Sequence, residues 1–151
     1  MVGFRAGKEL NLPDTQGLRL ISSAMAFWRA AKLLREYDPQ SLAWAPCFVN
    51  LGLAIELGLK GFSREHGMSE AEQKALNHDL VKAFQESCAR GFRPTHPLQS
   101  TLAAEINPHY KDMSLRYQNG LGVNLPPLAD AIRVAQLLIE ALYIQSTAKY
   151  S

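Results

Sequence analysis

The sequence predicts an all-α protein, folded as one antiparallel bundle of four or five helices. Apolar residues recur every three or four positions over long segments, and no segment shows the alternation of apolar and polar residues that is typical of a strand. Turn-forming residues separate these segments, and no repeat or linker divides the chain. We therefore expect a single domain over residues 1–151, with its core from about residue 15 to residue 147.

The first helix is predicted to begin after Asp14 or Thr15, since either side chain can cap a helix N-terminus. Its apolar residues follow a helical period and form a wide stripe that includes Leu18, Ile21, Met25 and Trp28. The helix should end at Asp38-Pro39, because proline disfavours helical geometry in the residue before it.

The second helix is predicted from about Pro39 to His66, and apolar residues cover almost every side of it. That pattern is typical of a central helix enclosed by others. The run from residue 42 to residue 62 also approaches membrane-spanning length. We nevertheless expect a core helix and no membrane contact, because residues unfavourable in a bilayer interrupt the run, namely Pro46, Asn50, Glu56 and Lys60.

Two shorter helices are predicted next. Ser69 and Glu72 have the spacing of a capping box, which predicts a short polar helix ending near Leu76. Asp79 can cap the third main helix, which Gly91 should close.

The remainder of the chain predicts two more helices. Pro97 opens a short one that reaches about Ile106, and Pro108 should break it. Pro126-Pro127 starts a long amphipathic terminal helix with apolar residues at Leu128, Ile132, Ala135, Ile139 and Leu142.

Composition limits the classes of function. Hydrophobic residues make up 47% and charged residues 20% of the 151 residues, as in soluble globular proteins, and the net charge of +2 excludes only a strongly basic nucleic-acid binder. Cys47 and Cys88 form no CxxC pair, which favours reduced, buried thiols. No apolar run of signal-peptide length follows the first positive charge, so we expect a cytoplasmic protein.

Standard catalytic signatures are absent from the sequence. It contains no phosphate-binding glycine loop, dinucleotide fingerprint, GxSxG or HExxH motif. No glutamate has a histidine three residues later, as a di-iron helical bundle requires. We therefore expect neither a metal nor a cofactor.

Charged residues interrupt the most apolar helix at Glu56 and Lys60, which share a face because they are four residues apart. One interpretation is a partly exposed ion pair of small energetic value. The other is a polar network in which both residues join the turn at His78-Asp79. For that turn as well, two interpretations stay open: Asp79 acts only as a helix cap with His78 beside it, or the turn faces a ligand.

A second polar cluster precedes the terminal helix. Arg116-Tyr117 follows His109-Tyr110-Lys111, so guanidinium, aromatic and ammonium groups lie close together in the sequence. Such a cluster could bind a phosphate and stack a base. Alternatively, the tyrosines cover the end of the bundle and Arg116 pairs with a carboxylate such as Glu56 or Asp79.

These segments together resemble the HEPN-like domains of bacteria and archaea. The resemblance covers residues 42–144 and rests on three motifs in a characteristic order: an Ala-x-Glu-x-x-x-Lys helix, a His-Asp-Leu turn and an Arg-Tyr element before the last helix. In this sequence they are Ala54 to Lys60, His78 to Leu80, and Arg116-Tyr117.

The resemblance implies a helical bundle that forms a homodimer, and a place in a toxin–antitoxin or defence system. Many members are metal-independent ribonucleases in which an active arginine precedes a histidine by a short spacing, as Arg90 precedes His96 here. Gly91 and Pro94 interrupt that stretch. We therefore expect first a module without strong catalytic activity that binds RNA, a nucleotide or a protein partner.

Two alternative functions follow from the same residues. One is an endoribonuclease in which His96 acts as general acid or base and Arg90 stabilises the charge that develops on phosphorus. The other is a structural interaction protein whose apolar helix faces pack against another polypeptide.

Overall fold

The computed structural model describes residues 11–38, 43–112 and 124–151. Within these ranges the chain forms α-helices and no strand, which confirms the predicted all-α helical bundle. The helices are α1 Gln16–Tyr37, α2 Trp44–Glu65, α3 Glu70–Ala75, α4 Leu80–Ala89, α5 Leu98–Lys111 and α6 Leu128–Thr147, followed by a short 3-10 helix, Ala148–Tyr150.

α1 and α2 form an antiparallel hairpin, the most extensively packed pair of described helices. Thr15 caps α1 by accepting a backbone hydrogen bond from its first turn, whereas Asp14, the other predicted cap, pairs with Arg19. The two backbones approach closely, because a Cβ atom added to Gly61 would lie 2.7 Å from the carbonyl oxygen of Gly17. Glycine at both positions is what lets the helices come this near.

α2 lies at the centre of the bundle and contacts five other described helices. Fully buried apolar side chains lie along most of its length, including Leu51, Ile55, Leu59 and Phe62. Of the described helices, this is the one long and apolar enough to cross a membrane, and most of it is buried inside the protein, as in a core helix. Its first residue is Trp44; the predicted start at Pro39 lies outside the described residues.

α4 runs in the same direction as α2. Their contacts advance together along both helices, from Glu56 with His78, through Ser63 with Ser87, to His66 with Arg90. This corrects the prediction of an antiparallel arrangement throughout, because α3 and the turns beside it carry the chain back before α4 begins. The predicted capping box of α3, between Ser69 and Glu72, is confirmed.

α5 corrects a second prediction. It continues through Pro108 to Lys111 and does not end near Ile106. Proline removes one backbone hydrogen bond, but side chains around it hold the last turn in place. The Asn107 side chain accepts a hydrogen bond from the first N–H of α4, and Tyr110 is buried against α2.

α6 closes the bundle against α1 and α2. The Trp28 indole N–H donates to the carbonyl oxygen of Ile132, 104 residues further along the chain, at 2.8 Å. In the short 3-10 helix that follows α6, Lys149 and Tyr150 both bind the carboxylate of Glu65 at the end of α2. The predicted start of this helix after Pro127 is confirmed.

The two cysteines differ in exposure. Both are free thiols, and Cys47 is buried as predicted. Cys88 is exposed, so the prediction of a buried thiol was wrong for this residue. The error arises because Cys88 was placed on the apolar stripe of α4, whereas the helix turns Ser87 towards α2.

Candidate functional site

The candidate site is built around the turn that leads into α4. Asn77 has a positive φ of 49°, a conformation that few residues other than glycine adopt. Asp79 then caps α4 by accepting a hydrogen bond from the N–H of Lys82 at 3.0 Å, as predicted. The turn thus places His78 between a left-handed residue and a helix cap. Asparagine tolerates this conformation better than most residues, which suits it to the turn.

Glu56 of α2 binds this turn from the interior of the protein. Its side chain is only 7% exposed, and one carboxylate oxygen, Oε1, accepts hydrogen bonds from His78 Nδ1 at 2.8 Å and from the Tyr110 hydroxyl at 2.7 Å. The other oxygen, Oε2, pairs with Lys60 Nζ at 2.9 Å. One buried carboxylate therefore joins α2, the turn and α5.

Lys60 is buried beside Glu56 and also binds the turn. Its side chain is 8% exposed, and Nζ donates to the carbonyl oxygen of Asn77 at 2.5 Å. Glu56 and Lys60 therefore form a buried network with the turn, the second of the two arrangements considered from the sequence, and not a partly exposed ion pair.

Asp79 is the centre of a neighbouring group of contacts. Besides capping α4, its carboxylate accepts a hydrogen bond from the Asn107 side chain at 3.2 Å and pairs with Lys111 Nζ at 3.3 Å. Asn107 in turn receives the N–H of Leu80 at 2.7 Å. The end of α5 and the start of α4 are thereby held together.

Both carboxyl groups of the site are held ionised. Burial raises the pKa of Glu56, but the hydrogen bonds from Tyr110, His78 and Lys60 together outweigh burial, so the pKa lies below its ordinary value. Burial likewise raises the pKa of Asp79, and the hydrogen bonds from the N–H of Lys82 and from Lys111 and Asn107 bring it below its ordinary value. Each carboxylate is therefore a hydrogen-bond acceptor only.

The depressed pKa of Glu56 predicts how stability depends on acid. A carboxyl group with a lowered pKa in the folded state stabilises the protein above its unfolded pKa, and this contribution is lost as the pH falls through the folded value. Glu56→Gln should therefore be clearly less stable than the unmodified protein at neutral pH, and the difference should shrink below about pH 4.5. Urea unfolding at several pH values measures this, and a difference that stays constant with pH would contradict it.

The outward side of the site carries polar groups. His78 is 49% exposed and Lys111 is 58% exposed, while their partners Glu56 and Asp79 are buried. The imidazole packs edge-on against the ring of Tyr110 at 6.2 Å between centroids. The site thus presents exposed polar groups on a rigid, buried support, the arrangement that a preorganised site requires.

A groove of about 490 Å³ lies between α4 and α5, and its first lining residue, Val81, is two residues from Asp79. Its walls are mostly apolar or small, with Val81 and Phe84 on one side and Ala103 and Ala104 on the other. Glu105 is the titratable residue that lines it. The groove thus offers space near the turn, whereas the polar chemistry lies at the turn itself.

Arg90 and His96, the predicted catalytic pair, lie away from this turn. Arg90 caps the far end of α4, about 16 Å along the helix from Asp79. Its guanidinium binds the carboxylates of Glu86 and Glu72 and the carbonyl oxygen of His66. His96 is exposed and its Nδ1 accepts the N–H of Leu98 at the start of α5. Catalysis by this pair stays a prediction.

Of the predicted polar set, the structure brings together Glu56, Lys60, His78 and Asp79. Arg116 and Tyr117 lie outside the described residues. The sequence analysis did not connect three further residues to this set: Tyr110, Asn107 and Lys111. Tyr110 and Lys111 were predicted as part of the second polar cluster instead, and the spacing of 107, 110 and 111 on one helical face was concealed by the expected break at Pro108.

Comparisons with protein-family models, with curated proteins and with solved structures find no match to the chain. The HEPN-like resemblance therefore rests on the motifs of the sequence, and the function is argued from the site.

Proposed function

We propose that the protein is a HEPN-like module that binds RNA or a nucleotide through a phosphate group at the turn of His78. We further propose that it acts as a cytoplasmic homodimer in a toxin–antitoxin or defence setting, without strong catalytic activity. The observation that carries the binding proposal is the half-exposed imidazole of His78 fixed to the buried carboxylate of Glu56.

The charges around the turn support a phosphate ligand. Glu56 is paired with the buried Lys60, and Asp79 is paired with Lys111, so each negative charge has a cation beside it. The groups exposed to solvent at this turn are the His78 ring and the Lys111 side chain, which is 58% exposed although it also contacts Asp79. Phosphate oxygens accept hydrogen bonds from donors of this kind, and the negative charge of the phosphate attracts the cations.

Titrating labelled single-stranded RNA and nucleotides with the purified protein tests the proposal. Binding should weaken with salt, and Lys111→Gln should lower the slope of log affinity against log salt by about 0.7 if Lys111 contacts one phosphate. Lys32→Gln is the matched control, because Lys32 lies on α1 and pairs with Glu36. A protein that binds neither RNA nor nucleotides, and is monomeric by light scattering, would refute the proposal.

A second candidate function is a structural interaction protein. Large apolar side chains are exposed on the outer faces of α1 and α6, with Leu33 57% and Ile144 64% exposed. Exposed apolar surface of this type can bind a protein partner or a second copy. Changing Leu33 or Ile144 to glutamine should weaken self-association, measured by light scattering, if the helix face that carries the residue is the interface.

A further inference from the structure

We infer that His78 contacts the bound phosphate through Nε2 only as the protonated imidazolium, so that ligand binding takes up one proton. The inference rests on the proposed function and adds the protonation state of the ligand-binding residue. Binding at this site should therefore be stronger at acid pH. The reason is the hydrogen-bond geometry of the His78 side chain.

The contact with Glu56 fixes the tautomer of His78. Nδ1 lies 2.8 Å from Glu56 Oε1, and that oxygen belongs to an ionised carboxylate that can only accept hydrogen bonds. Nδ1 must therefore carry a hydrogen. In a neutral imidazole only one nitrogen carries a hydrogen, so Nε2 of neutral His78 has a lone pair.

The oxygens of the phosphate ligand require a hydrogen-bond donor at Nε2. A phosphodiester offers only acceptor oxygens, and an Nε2 lone pair repels them. Protonation places a hydrogen on Nε2 and a positive charge on the ring, and both favour the phosphate. The ring has room for this contact, because it is half exposed and Nε2 has no hydrogen-bond partner within the described part of the chain.

The surrounding groups leave this proton to His78. In the described part of the chain, Glu56 from α2 and Tyr110 from α5 contact the imidazole, and Asp79 follows it in the turn. Lys60 from α2 and Lys111 from α5 pair with Glu56 and Asp79. Burial raises the pKa of both carboxyls, but their hydrogen bonds outweigh it and leave the pKa below the ordinary value, so both groups are ionised near neutral pH. Histidine is the residue type that changes charge between about pH 5 and pH 8.

Calorimetric titration of the full chain with an oligouridylate of about eight nucleotides tests the inference. The titration is made in buffers of different ionisation enthalpy, because the difference in heat counts the protons exchanged. A phosphodiester does not itself titrate in this range, so the proton must come to the protein. We expect net proton uptake on binding, and an affinity that is higher at acid pH than at alkaline pH.

His78→Gln provides the decisive comparison, because the glutamine amide remains a donor but does not titrate. This variant should bind the RNA with no proton uptake and little dependence on pH, while His66→Gln, at the far end of α2, should behave like the unmodified protein. Binding without proton uptake, or uptake that persists in His78→Gln, would overturn the inference and leave the proposed function standing. If the protein binds no RNA at any pH, both fail.

Discussion

Glu56→Ala should destabilise the protein by about 3–5 kcal/mol, one of the two largest effects expected for a single substitution. The change leaves the Lys60 ammonium buried with the Asn77 carbonyl oxygen as its remaining partner among the described residues, and it also removes the acceptor of Tyr110 and His78. An unpaired charge in the interior is far more costly than the loss of the pair as a whole. Urea or thermal unfolding gives the free energy of unfolding directly.

Two controls separate this explanation from a general sensitivity of α2. Glu56→Leu combined with Lys60→Met should be less destabilised than Glu56→Leu alone, because no charge is then left buried. Glu70 and Lys74 have the same spacing on α3 but are 70% and 76% exposed, so Glu70→Ala should change stability very little. If the double variant is as unstable as the single one, burial of the Lys60 charge is not the cause.

Gly52→Ala should destabilise the protein by about 1–3 kcal/mol and disturb the site at the same time. A Cβ atom at this position would lie 2.3 to 2.8 Å from three ring atoms of Tyr110, close to the base of that ring. The ring must move, and its hydroxyl then loses Glu56. The effect outweighs the roughly 1 kcal/mol by which alanine is a better helix former than glycine.

Gly58→Ala is the matched control for this prediction. It is the same substitution on the same helix, but its nearest contact is a methyl group of Leu142 at 3.1 Å, at the flexible end of that side chain. Replacing Tyr110 by alanine in the Gly52→Ala protein should remove the collision. Tyr110→Ala should therefore lower the free energy of unfolding less in the Gly52→Ala protein than in the unmodified protein. A Gly52→Ala protein as stable as Gly58→Ala would contradict the packing described for Tyr110.

The local signals of the sequence predicted the helices well. The capping box of Ser69 and Glu72 and the cap at Asp79 act over three residues, so neighbouring residue types determine them. The direction of α4 relative to α2 was not predictable in this way, because it depends on how α3 and its turns pack. The end of α5 was wrongly predicted at Pro108 for the same reason. Contacts of Asn107 and Tyr110 with other helices stabilise the turn that proline weakens.

The candidate site was predictable in part. The spacing of Glu56 and Lys60 on an apolar helix pointed to a buried charge pair that needs partners, and the structure supplies His78 and the Asn77 carbonyl oxygen. Tyr110 was not assigned as a partner, because its contact with Glu56 spans 54 residues and no local pattern encodes it.

The close crossing of α1 and α2 at Gly17 and Gly61 bears on the order of folding. Near the connection between the two helices, the contact of Cys47 with the Ala31 carbonyl oxygen closes a loop of only 16 residues and costs little chain entropy. The bond from Trp28 to Ile132, by contrast, closes a loop of 104 residues. We therefore expect the helical hairpin to zip from its connection towards the glycine crossing before the terminal helix docks.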